Sequence, residues 1–349
     1  MNAENDPGLQ IKFPHSSRRA WFGAGSVVLI LLLAVFPARA QTCLSPSDME
    51  AAARSVLETT AKRYFDMAAG GDVFSLKQNS IPSLASTFAG IEAAVVENKP
   101  AFAGAQATPR PAYLLQAGGA APFAHAEFLC GVFGASGQTR NSAVFSLSNL
   151  QPGNYGLVIL DVNGAKGPYT LTLVLQQAGN EWKLGGFYAK AAQAAGHDAT
   201  WFENQARQFK TKGQLRNAWF YYQQARDLFV PVNFMSTLDT DKLYDESQGL
   251  QPGDLPANGG TVDLVADGKT YKLTSIFPLG VGGDFDLVVK YQAADVSNSS
   301  QTFQDNMAVI KALVARYPEY RDAFTGVVAR AVEPSGRDYG SLLAMKEIK

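Results

Sequence analysis

The stretch YGLVILDVNGAKGPYTLTLVLQQAGNEWKLGGFY, residues 155–188, decides the fold class. Val, Leu, Ile, Phe and Tyr crowd three segments, 155–162, 169–176 and 182–188. Turn residues punctuate them: Asn163-Gly164, Lys166-Gly167-Pro168 and Gly179-Asn180. β-Branched and aromatic runs of that length between such turns read as strands. Connections this short join antiparallel neighbours, because a parallel pair needs a crossover of about a dozen residues or more. Upstream, 124–133 and 142–147 carry the same composition, with Gly134 to Gly137 and Gln151-Pro152-Gly153-Asn154 as turns. The expectation is an antiparallel meander of successive strands.

Before the meander the apolar period lengthens. Met49, Ala52, Val56, Leu57, Ala61, Tyr64, Phe65 and Ala68 recur at helical spacing until Gly70-Gly71. Ser45-Pro46-Ser47-Asp48 ahead of them offers an N-cap, a proline at N1 and an acidic N3. Asp72 caps a second short helix, a third spans 84–96, and 99–122 is a Pro/Gly/Ala-rich connection without a period. Helices followed by a meander make the chain α+β. This order of elements, closing on Trp182-Lys183-Leu184-Gly185-Gly186-Phe187-Tyr188, resembles the NTF2-like (cone-shaped α+β) superfamily over about 45–190. The resemblance implies helices packed on a curved antiparallel sheet, a cone able to hold a pocket, and a sheet face on which a homodimer can form.

Phe202, Ala206, Phe209, Gly213, Ala218, Tyr222 and Ala225 fall at spacings that resemble one tetratricopeptide (TPR) repeat over 199–232. The small alanines let two antiparallel helices approach, the aromatics fill the space between them, and Gly213 makes the turn. Stacked repeats need about three units to stand alone. A single hairpin, with its extension spanning 196–248, is therefore expected to pack against a neighbour. Residues 249–260, rich in Pro, Gly and Asn, read as a linker. In 261–349, two alternating segments flank the Asp267-Gly268 turn, a third strand covers 285–291, and Phe303, Met307, Ile310, Val314 and Tyr317 mark a helix face. A closing hairpin flanks Glu333-Pro334-Ser335-Gly336, so this segment is expected to be a smaller βββαββ domain.

At the other end, Arg18-Arg19 precede an apolar run from Ala20 to Phe36. Pro37 and the small-x-small Ala38-Arg39-Ala40 follow. Such a pattern is an export signal over 1–40, with mature protein starting near Gln41, in the periplasm or secreted. An uncleaved anchor is the alternative, and Ser17-Arg18-Arg19-Ala20-Trp21-Phe22 leaves the twin-arginine route open beside the general one. Residues 1–40 hold four basic and two acidic side chains, so their removal takes 30 and 31 to 26 and 29. With no basic stripe remaining, nucleic acid is excluded as a partner. Membrane contact is expected only through an uncleaved signal. Cys43 and Cys130 are the sole cysteines. In an oxidising compartment they can pair; as free thiols, Cys130 would sit in an apolar strand as a small core residue.

Chemistry is sparse. No HExxH, CxxC, GxSxG, P-loop or GxGxxG-before-helix pattern occurs, and no metal or cofactor is expected. His125 and Glu127 are the weak catalytic candidates: two apart on a strand, they share a face and could act as base and partner if that face lines the cone. Asp161 and Tyr188 would join them on suitable register. Trp219-Phe220-Tyr221-Tyr222 places four aromatics about 100° apart around one helix, so not all can face the hairpin partner. Trp219 and Tyr221 are the candidates for a binding surface. The expected function is an exported, noncatalytic binding or interaction protein of the cell envelope, taking a protein partner or a small apolar ligand. The alternative is a small-molecule enzyme of isomerase or hydrolase type working in the NTF2-like pocket.

Overall fold

The computed structural model describes residues 41–132, 137–257 and 259–349; the export signal expected at 1–40 lies outside them. The first half runs β1 (Gln41–Leu44), α1 (Ala51–Gly70), α2 (Val73–Gln78), α3 (Pro82–Ser86), α4 (Ala89–Phe102), β2 (Gln106–Pro109) and β3 (Tyr113–Ala117). It continues through β4 (Phe123–Cys130), β5 (Ala143–Leu150), β6 (Gly153–Gly164), β7 (Gly167–Ala178) and β8 (Glu181–Ala191). Then come α5 (Ala199–Thr211), α6 (Leu215–Phe229), β9 (Met235–Thr237) and α7 (Leu238–Ser247). The chain closes with β10 (Val262–Ala266), β11 (Lys269–Val281), β12 (Asp284–Gln292), α8 (Ser299–Arg316), β13 (Gly326–Val332) and β14 (Asp338–Ala344). The class is α+β. Among the described residues no helix is long and apolar enough to cross a membrane.

The long strands of residues 155–188 form β6–β7–β8, antiparallel throughout, in a six-stranded sheet ordered β1-β3-β6-β7-β8 with β2 also on β6. One face of this sheet is covered by α1 and α4. Leu57, Ala61, Tyr64, Phe65 and Ala68 of α1 bury themselves against Val158, Leu160, Leu171 and Leu173. The helix comes so close that a Cβ on Gly156 would collide with the buried Leu57 side chain, which would have to shift to admit it. Contrary to a single meander, β4 and β5 leave this sheet. They pair with each other and with β9 to form a separate three-stranded sheet. Phe123, Ala126, Phe128 and Cys130 turn inward onto Tyr113, Leu115, Tyr155 and Leu157 of the larger sheet. The partners that split the meander are β1, β2 and β3, short strands at 41–44 and within the connection that shows no period.

A disulfide joins Cys43 of β1 to Cys130 of β4, with Cα atoms 5.1 Å apart, stitching one sheet to the other. Residues 45–48 do not begin α1. Ser45 and Asp48 close their own hydrogen-bonded turn, backbone and side chain together, and the helix starts at Ala51. The strand and disulfide hold Cys43-Leu44 extended, so the chain must turn before it can coil.

The C-terminal sheet is ordered β10-β11-β12-β13-β14, with β12 and β13 parallel across the α8 crossover and the other pairs antiparallel. The tight Asp267-Gly268 turn, both residues at positive φ, joins β10 to β11. Leu287, Val289 and Tyr291 of β12 meet Val309, Ile310, Leu313 and Val314 of α8 in a core shared with the α5–α6 hairpin. Ala206, Ala218 and Ala225 are fully buried between the two hairpin helices. Phe202 meets Phe285 tilted and Tyr221 meets it edge-on, at ring distances of 4.9 and 5.1 Å. Gly280 of β11 also approaches the turn after β8: a Cβ there would stand 2.8 Å from the Ala195 nitrogen.

The linker by composition is anchored at Asp254. Arg216 of α6 grips both its oxygens at 2.6 and 2.7 Å, and the Tyr317 hydroxyl at the end of α8 donates to it at 2.6 Å. Arg216 also lies over the Tyr317 ring, 4.1 Å from its centroid. The Arg216 and Tyr317 hydrogen bonds pull the Asp254 pKa from an ordinary 3.8 down to about 2, against the opposing effect of burial.

Two outcomes follow from these attachments. A Cys43→Ser/Cys130→Ser chain loses a cross-link closing 87 residues. Urea unfolding is expected to show about 2–4 kcal/mol less stability, below the ceiling of about 4–5 kcal/mol that chain entropy sets. Because Asp254 has a depressed pKa in the folded state, its stabilisation is complete above about pH 4 and disappears as pH falls through about 2. Asp254→Ala should cost about 2 kcal/mol at neutral pH, flatten the stability profile in that acid window, and open 249–257 to limited proteolysis.

Candidate functional site

His125 and Glu127 do share a face, but it is the outer one. Alternation along β4 turns Ala126, Phe128 and Cys130 inward, leaving His125 and Glu127 exposed opposite Ser148 and Ser146. The backbone N–H of Glu127 donates to the Gln41 side chain at 2.8 Å. Asp161 and Tyr188 lie on the far side of this layer, in the six-stranded sheet, so the four residues are not brought together. Asp161 is held by the Arg110 guanidinium at 2.7 and 3.1 Å. Tyr188 sets its ring edge-on against Phe234, 5.4 Å away. The two aromatics of α6 also divide. Tyr221 is 5 % exposed, with its hydroxyl donating to the Ala323 carbonyl at 2.6 Å, so it belongs to the core. Trp219 is half-buried against the same core. Among the described residues no three His, Cys, Asp or Glu side chains are grouped to hold a metal ion.

A different place gathers chemistry. Lys190 near the end of β8 binds Asp227 of α6 at 2.9 Å, drawing the hairpin against the first sheet. Below α6, β9 pairs with β5 and leads into α7 through a Thr237–Thr240 capping box. Glu246 at the other end of α7 takes Arg207 of α5 at 2.8 Å and the Tyr222 hydroxyl at 3.1 Å. These attachments leave a cleft of 440 Å³ where the ends of β6 and β7, the start of α5, the end of α6 and β9 converge.

Ile159, Leu228, Phe229 and Met235 give this cleft an apolar wall. Its polar groups come from different elements: Arg110 after β2, Tyr113 on β3, Arg140 before β5, Thr170 on β7, Asp198 and Thr200 at the start of α5, and Asp239 in α7. Strand register explains the first of these. Thr170 lies opposite Asp161, which holds Arg110 at the rim. The Tyr113 hydroxyl donates to the Asn141 carbonyl at 3.0 Å, and burial raises its pKa. Asp198 is occupied as the N-cap of α5, accepting from the Trp201 N–H at 2.8 Å. The wall and polar set suit binding a small molecule with both an apolar and a charged part.

Comparison with protein-family models, with curated proteins and with solved structures finds no match to this chain.

Sequence reasoning passed over Arg110, Arg140, Thr170 and Asp239. Arg110 sits in the aperiodic connection and Arg140 in a turn, and the one local signal was Thr170, which with Thr172 alternates with leucine in β7. For His125 and Glu127 the outward placement gives a clear expectation. His125→Ala and Glu127→Ala should each shift unfolding free energy by no more than about 0.5 kcal/mol in urea titrations, as exposed strand positions do; a loss of several kcal/mol would contradict the placement.

Proposed function

We propose that this chain is an exported, noncatalytic binding protein of the cell envelope that holds a small ligand in the junction cleft. One observation carries the reading: an apolar wall and charged groups from separate elements meet in one cleft whose lining, among the described residues, contains no histidine, cysteine or lysine. The charged groups at hand bind and orient. The Cys43–Cys130 disulfide supports an oxidising compartment, in keeping with an export signal ending at Ala40.

The resemblances belong to this proposal. An NTF2-like first half is supported by α1 and α4 lying on one face of long antiparallel strands. A TPR-like α5–α6 unit is supported by the alanines buried between its helices. The aromatic face of that unit is taken up by the C-terminal sheet, which favours the junction cleft over the hairpin as the binding place. Fold likeness alone carries no activity.

The test is native mass spectrometry of the mature chain recovered from its own envelope under mild conditions. A co-purifying small molecule is expected, and Thr200→Trp, which fills the cleft from its exposed rim, should release it while circular dichroism stays unchanged. A chain that arrives empty, or that keeps its ligand in Thr200→Trp, overturns the reading. Capture of a protein partner by a surface remote from the cleft would do the same.

A further inference from the structure

The cleft holds charge of both signs that the fold leaves unpaired. The Arg140 side chain lines it and makes no ion pair or hydrogen bond among the described residues, and the same is true of the Asp239 carboxylate, both of them at the exposed mouth. Their neighbours differ: Arg110 is taken by Asp161, and Asp198 by the α5 backbone. The β5–β9 register sets Ala143 opposite Thr237 in antiparallel pairing. Arg140, three residues before Ala143, and Asp239, two after Thr237, therefore leave the same end of one ladder. A third group points to a ligand independently. Thr170 is 6 % exposed and lines the cleft, yet its hydroxyl has no hydrogen-bond partner among the described residues. The residue is otherwise packed into β7, so its unengaged hydroxyl opens only on the cleft and offers a donor and an acceptor to a molecule that enters.

These groups constrain the ligand by elimination. A simple anion would answer Arg140 but face the carboxylates of Asp198 and Asp239. A simple cation would meet Arg110 and Arg140. A wholly apolar molecule would cover the Thr170 hydroxyl and both unpaired charges without replacing their water, which is costly. A molecule carrying one carboxylate, one ammonium and a hydrocarbon body answers all of them, with Ile159, Phe229 and Met235 receiving the hydrocarbon. We infer that the cleft takes an apolar α-amino acid or a short peptide of such residues, its carboxylate on Arg140 and its ammonium on Asp239. This inference rests on the cleft being a binding site and names the class of ligand it holds.

Isothermal titration of the full mature chain tests it with L-leucine, L-phenylalanine and dileucine, each compared with N-acetyl and C-amide derivatives. Blocking either end should weaken binding about tenfold or more, the loss expected of one charge-assisted contact. Asp239→Asn should abolish the penalty for acetylation while keeping that for amidation; Arg140→Gln should do the reverse. That crossed pattern is what a merely structural role for either residue would not produce. Tighter binding of leucine than of dileucine assigns the free amino acid, and the opposite order assigns the peptide. Equal binding of free and blocked compounds overturns the inference. So does no binding of the panel by a chain that mass spectrometry shows filled with another kind of molecule, which leaves the binding reading standing. No binding by a chain that is also empty removes both.

Discussion

Phe202 and Tyr221 packed against Phe285 and Phe324 form the contact on which the rest of the structure depends. Two short helices do not hold together in water by themselves; they persist by burying an apolar face. Here that face is buried on the C-terminal sheet, and Phe209, Phe220 and Tyr320 extend the cluster around it. Once α6 is fixed there, its far end reaches Lys190 through Asp227, and α7 folds back to give Glu246 to Arg207 and Tyr222. The cleft is the space left where these attachments meet the first sheet. A loosened aromatic cluster would enlarge or close it without any change in the residues that line it.

The polar attachments do a different job from the aromatic one. The exposed pairs, such as Lys272–Asp263, contribute little net stability because solvent already serves their charges, whereas the half-buried Asp254 is held by several hydrogen bonds at once. Beyond stability, Arg216, Asp254 and Tyr317 provide direction: a bidentate fork and a hydroxyl aimed at one carboxylate hold a Pro/Gly-rich segment along one path. The disulfide acts similarly between the two sheets of the first half, where β1 alone, four residues long, is a weak tie.

Legibility of the candidate site follows from how far each signal reaches along the chain. Period-two alternation showed that His125 and Glu127 share a face, but only the neighbours of β4 decide which face is inside. Those neighbours, β3 and β6, are brought over it by the Cys43–Cys130 bond and by the packing of Phe128 and Phe145. Arg140 and Asp239 are about a hundred residues apart in sequence, and a three-residue strand, β9, makes them neighbours. So short a strand has no period to detect. The Tyr221 side chain was equally ambiguous: four aromatics in one turn of helix must face several ways, and the C-terminal sheet took the ones that fit.

By itself the sequence determined the α+β class, the long β6–β7–β8 hairpins, the α5–α6 hairpin and its Gly213 turn, and the Asp267-Gly268 hairpin. Each is encoded by residues within a few positions of one another, through apolar period, turn chemistry and capping. Only the tertiary structure decided that β4 and β5 leave the first sheet, that the hairpin joins the C-terminal core, and that Arg140, Thr170 and Asp239 share one cleft. Those outcomes turn on contacts between segments tens to hundreds of residues apart, where burial of a common apolar surface, which no local pattern specifies, selects the partner.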